Sequence, residues 1–114
     1  MFAFVVVMRR PLGDADRAVC AAAEAQAIPV HIMAPSEVVD GRHLAATLGL
    51  LPACVFVATD DAALARRVRA DGCDVAALGP SEPLDAALPA LEEAYCRATL
   101  RLRGLIARLF FQPH

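Results

Sequence analysis

The residues of this chain that could do chemistry fall in short polar clusters, each just after an apolar run. They are Arg9-Arg10, Pro35-Ser36-Glu37, Thr59-Asp60-Asp61 and Pro80-Ser81-Glu82. Two adjacent guanidiniums can grip a phosphate through paired, charge-assisted hydrogen bonds. Two adjacent carboxylates can hold a Mg²⁺ or accept a phosphoryl group. The candidate ligand edge is therefore Arg9, Arg10, Ser36, Thr59, Asp60, Asp61 and Ser81. A plainer reading competes, and the residue types favour it: the aspartates cap a helix, the arginines are solvated, and the two groups pair across the edge.

Other chemistries lack their residues. All eleven basic residues are Arg, so neither a Schiff-base lysine nor a P-loop lysine exists. Met8-Arg9-Arg10-Pro11-Leu12-Gly13 stands where a G-x-G-x-x-G loop would follow a first strand. His31, His43 and His114 have no Ser, Cys or acid spaced as a readable triad. Cys20, Cys54, Cys73 and Cys96 form no C-x-x-C pair and sit at no zinc spacing from a histidine. Their expected role is that of small buried hydrophobes, unpaired and slow to react. No catalytic residue, metal ligand or cofactor is assigned.

The elements that must position these clusters read as alternating strands and helices. Phe2–Met8 is a continuous apolar run of strand length, as expected for a strand buried on both faces. Asp14 opens an Ala-rich helix to about Ala27. Pro29–Met33 is a second strand. Ser36 caps a helix that Gly49 stops, with Gly41 weakening its middle. Ala53–Ala58 is a third strand, and Asp60 or Asp61 caps a helix ending at Gly72. Asp74–Leu78 is a fourth strand, and Gly79-Pro80-Ser81 leads to a long helix that Pro89 kinks or restarts. Two Pro-Ser-Glu helix starts, at 35–37 and 80–82, echo each other. The order β-α-β-α-β-α-β-α with right-handed crossovers implies an α/β fold: a four-stranded parallel sheet in three α/β/α layers, flavodoxin-like, with a long C-terminal helix. It divides as a core over 1–82 and the helix over 83–114, within one domain.

Composition bounds the partners. The chain is 58% hydrophobic, 5% aromatic and carries a net charge of −2. With few stacking rings and no basic excess, nucleic acid and anionic membrane surfaces are not expected partners. The run Phe2–Met8 is too short for a signal peptide and its arginines follow rather than precede it, so a cytoplasmic location is expected. The partner surface is the C-terminal helix. Leu91, Tyr95, Ala98, Leu102, Leu105 and Leu109 recur in steps of three and four, and Ile106 and Phe110 widen the stripe. A helix that long outruns a small domain, so its far end should pair with a second copy or another protein.

From the third strand onward the chain resembles the last third of a response-regulator receiver domain. The matching stretches are Val55-Phe-Val-Ala-Thr59-Asp60-Asp61 and Arg69-Ala70-Asp71-Gly72-Cys73-Asp74-Val75-Ala76-Ala77-Leu78-Gly79-Pro80. The resemblance puts Thr59 at the switch threonine and Gly79-Pro80 at the Lys-Pro position. Pro89-Ala90-Leu91, with Ala94 and Arg97, is similar to the helix leaving the receiver of nitrate- and amide-responsive antiterminators, which forms dimeric coiled coils. Gly79 replaces the lysine, Arg9-Arg10 stands where an acidic pair is expected, and four strands stand for five. The resemblance thus implies a degenerate receiver without Mg²⁺-dependent phosphoryl chemistry. The expected function is a non-catalytic regulatory or assembly module that dimerises through its last helix. The alternatives are a small enzyme or phosphate-ligand-binding protein using the strand edge, and a cysteine-based sulfur or redox relay.

Overall fold

A computed structural model describes the backbone of residues 1–111 and the side chains through Arg101, with Gly104. Leu102, Leu105, Ile106, Leu109 and Phe110 of the expected stripe lie outside the described side chains.

Four parallel strands, β1 (Ala3–Val7), β2 (Val30–Met33), β3 (Val55–Thr59) and β4 (Asp74–Ala77), form one sheet in the order β2-β1-β3-β4. That is the doubly wound order of flavodoxin-like sheets, stopped one strand short. The central strands β1 and β3 are buried at every position, which is why both read as unbroken apolar runs. The outer strands are only half covered, and Ile32 of β2 is 58% exposed.

Helices cover both faces. Phe4, Val6, Phe56 and Ala58 pack against Val19, Cys20 and Ala23 of α1 (Asp14–Ala25) and Leu91 and Ala94 of α4 (Leu88–Phe111). Val5, Val7, Val55 and Val57 pack against Leu44 and Ala45 of α2 (Gly41–Leu48) and Leu64 and Val68 of α3 (Ala62–Ala70). The expected three-layer α/β architecture is the observed one.

Local boundaries differ from expectation in instructive ways. Gly13, not Asp14, is the N-cap of α1. The helix ends at Ala25 because Ala27 takes a left-handed φ of 62°, the conformation Gly usually supplies, so no glycine marks the stop. Ser36 caps no α-helix. Pro35–Glu37 is a single 3-10 turn, and α2 begins only at Gly41, with Asp40 accepting the His43 N–H at 2.8 Å. The two Pro-Ser-Glu motifs do form matching turns, closed by glutamate rather than serine. The Glu37 carboxylate accepts the Ala34 N–H at 2.9 Å, and the Glu82 carboxylate accepts the Gly79 N–H at 3.0 Å. Gly49 stops α2 in a left-handed cap as expected, and Pro89 sits in the first turn of α4, after a 3-10 turn at Leu84–Ala87.

Candidate functional site at the switch point

The chain leaves β1 toward β2 on one side and later crosses to β3 on the other. The crevice past the carboxyl ends of β1 and β3 is therefore the switch point where ligands bind in such sheets. Val7 of β1 pairs with Thr59 of β3, so Arg9-Arg10 and Asp60-Asp61 emerge side by side.

The crevice is filled by its own charges. Asp60 accepts the backbone N–H of Arg9 through Oδ1 at 2.7 Å and that of Arg10 through Oδ2 at 3.2 Å. Asp61 divides its oxygens. Oδ1 accepts the N–H groups of Ala63 and Leu64, both at 3.1 Å, capping α3. Oδ2 accepts Arg9 Nε at 3.0 Å and Nη2 at 2.9 Å. The Leu64 N–H first, and then the Arg9 guanidinium, hold the Asp61 carboxyl below its ordinary range. Thr59 is fully buried, and its hydroxyl oxygen accepts the Asp61 N–H at 3.1 Å. Ser36 and Ser81 sit exposed on the turns after the outer strands and do not join this network.

Arg10 turns the other way, to a residue that the sequence reading did not single out. Its Nη1 and Nη2 meet Asp16 at 2.6 and 3.0 Å, and Nη2 also reaches the Glu82 carbonyl at 3.2 Å. Asp16 is buried and further accepts the N–H groups of Gly13 at 2.9 Å and Leu84 at 3.1 Å. One carboxylate thus joins the loop after β1, the start of α1 and the turn before α4. The Arg10 guanidinium is the main cause that drives the Asp16 carboxyl far below the usual carboxylate range. The same hydrogen bonds raise Arg10 in turn. Arg10 Nε is buried with no partner among the described residues. The signal that could have found Asp16 is its place three residues into Gly13-Asp14-Ala15-Asp16, the acid position of a capping box.

This geometry closes a site more than it opens one. Both oxygens of Asp60, Asp61 and Asp16 are already engaged by donors of the chain itself. Arg9, its side chain 69% exposed, is the cation that a phosphate could reach with least rearrangement, although its partner Asp61 is only 10% exposed. Among the described residues no three His, Cys, Asp or Glu side chains gather as a metal-binding group. Two apolar grooves of about 380 and 320 Å³ lie away from this edge, along α4.

The thiols divide in two. Cys20 and Cys73 are buried as expected, and burial pushes Cys20 up and Cys73 up to about 11. Cys54 is partly covered and Cys96 is exposed on α4, so the reading of four buried cysteines fails there. A helix buries only one stripe, and Cys96 follows Tyr95 off that stripe. Alkylation at neutral pH should modify Cys96 first and Cys54 more slowly, with Cys20 and Cys73 released only by denaturant. Rapid native labelling of Cys73, read by peptide mass, would contradict this burial pattern.

No protein-family model, curated protein or solved structure matches the chain. No helix among the described residues is long and apolar enough to cross a membrane.

Proposed function

We propose that this chain is a non-catalytic regulatory or assembly module, built on a degenerate receiver-like domain and acting through its C-terminal helix, most simply as a homodimer. The observation that carries the reading is the self-satisfied switch point. Arg9-Arg10 stands where a receiver carries its acidic pair, and the carboxylates that do reach this edge, Asp60 and Asp61, are spent on the backbone of Arg9 and Arg10, on the cap of α3 and on the Arg9 side chain. Opening such a site means breaking charge-assisted hydrogen bonds that also hold two loops. The position matched to a switch threonine, Thr59, is fully buried and hydrogen-bonded to the chain itself.

The second support is the length of α4. Its 24 residues span about 36 Å at 1.5 Å per residue, in a molecule measuring 55 × 27 × 19 Å. Ala98, the last stripe residue whose side chain is described, packs partly buried against the core, and Leu102, Leu105 and Leu109 continue the stripe in the sequence. An apolar stripe left in water costs about 25 cal/mol per Å², which pairing relieves.

The oligomeric state tests the reading. Light scattering is expected to give twice the chain mass at micromolar concentration, and Leu102→Asp with Leu105→Asp the monomer mass with unchanged circular dichroism. A chain already monomeric at high micromolar concentration sinks the homodimer. The non-catalytic half is tested separately: acetyl phosphate with Mg²⁺ should leave the intact mass unchanged. A stoichiometric phosphoryl adduct that disappears in Asp60→Ala would overturn it.

A further inference from the structure

The homodimer reading leaves open which way the helices run and where the overhanging half is seated. α4 divides into halves of equal length, 88–99 and 100–111, each about 18 Å long. The first half lies on the sheet and leaves an apolar groove of about 380 Å³ between itself and α1, lined by Ala22, Gln26, Leu88, Leu91 and Tyr95. A second groove of about 320 Å³ continues past Tyr95 to Ala98 and Thr99. The trough therefore runs the length of the first half, which is also the length of the half that overhangs.

Charge follows the same division. Glu92 lines the trough and Glu24 a shallow groove beside it at the end of α1, while Arg97 is engaged by Asp74 at 3.2 Å. The overhanging half carries Arg101, Arg103 and Arg108 and no acidic residue. Parallel helices would stack arginine on arginine and glutamate on glutamate. Antiparallel helices set each basic half beside the other copy's Glu24 and Glu92.

Gly104 adds an independent sign. A glycine inside a helix weakens it, and among the described residues a Cβ built here meets nothing within 4 Å. When a helix spanning 88–111 is paired antiparallel with itself, residue 88 faces 111 and Tyr95 faces Gly104. The half-buried ring that divides the trough then meets the one residue of the overhang without a side chain, which permits close approach.

We infer that the overhanging half of α4 docks antiparallel in the α1–α4 trough of a second copy, with Tyr95 of each chain packed over Gly104 of the other. This rests on the homodimer reading, and its test separates the two. Spin labels are placed at Pro89→Cys or Arg101→Cys in the full chain carrying Cys54→Ala and Cys96→Ser, with Cys20 and Cys73 buried and unlabelled. An antiparallel pair puts the labels at position 89 roughly 20 Å farther apart than those at position 101. Two distances agreeing within a few ångströms mean a parallel dimer, which overturns this inference and leaves the homodimer standing. Monomer at high micromolar concentration overturns both. Gly104→Leu should weaken the dimer at least tenfold by light scattering even though leucine is the stronger helix former. An undiminished dimer in that variant overturns the Tyr95–Gly104 contact.

Discussion

Asp16→Ala is expected to destabilise the fold by about 3 kcal/mol, the largest effect of any single substitution around the switch point. The variant removes the acceptor for both Arg10 guanidinium hydrogen bonds and for the N–H groups of Gly13 and Leu84. It also leaves Arg10, its side chain only 23% exposed, with a positive charge and no carboxylate. Water reaching that side chain keeps the cost at the low end of the range for broken buried pairs. Asp16→Asn keeps the shape and one acceptor oxygen, so it should cost about half as much. The sign of the pH dependence follows from the direction of the shift. Asp16 is held below the ordinary carboxylate value of about 3.9, so in acid the unfolded chain binds the proton first. Its stabilisation is complete above that unfolded value and fades as pH falls toward the depressed folded value. Urea unfolding followed from pH 7 to pH 3 should therefore show a flatter acid slope in Asp16→Asn than in the parent chain. Asp61 contributes with the same sign and supplies the slope that remains. Equal slopes in the two proteins would mean that Asp16 is not the titrating tie.

Asp16 also marks where reading the sequence alone reaches its limit. Strand character and layering were legible because β1 and β3 are continuous β-branched and aromatic runs, a pattern that burial on both faces imposes. Asp61 as cap and Gly49 as stop were legible because their partners lie within a few residues. The role of Asp16 was not, because its partner Leu84 lies 68 residues away and only the fold brings the two together. Of the expected ligand edge, pairing between the arginine and aspartate groups is realised by Arg9 with Asp61, whereas Arg10 is not solvated but locked to Asp16. Ser36 lost its expected cap because Pro35 and the Glu37 carboxylate close a tight turn first. Periodicity along α4 likewise cannot tell a chain's own core from a partner's. Leu91 turns out to be 3% exposed in the chain's own core, with Tyr95 and Ala98 half-buried beside it.

Gly41→Ala is the second large effect, and here two opposing terms must be weighed. In the sequence Gly41 reads as a weak point inside a helix, which an alanine would strengthen by up to about 1 kcal/mol. In the structure it is the first residue of α2, pressed against the end of α3. A Cβ at this position would come within 2.8 Å of Asp71 Cβ, 2.9 Å of the Val68 carbonyl oxygen and 3.1 Å of Cys73 Sγ. Two of those three atoms belong to backbone or sit one bond from it, so the helices themselves must part. Parting them strains the bond from the Gly41 N–H to Asp71 Oδ2 at 2.9 Å, which ties the start of α2 to the cap of α3. Overpacking of this kind costs about 1–3 kcal/mol, and the lost hydrogen bond about 1 kcal/mol more. Sterics therefore outweigh propensity, and the net loss should be about 2 kcal/mol, read as a lower urea midpoint at unchanged slope. Gly49→Ala is the control. That glycine holds a φ of 70° with open space around it, so alanine there meets backbone strain alone, about 1 kcal/mol. If Gly41→Ala costs no more than Gly49→Ala, the close approach of α2 and α3 is not what demands a glycine, and the packing between those two helices is looser than these distances require.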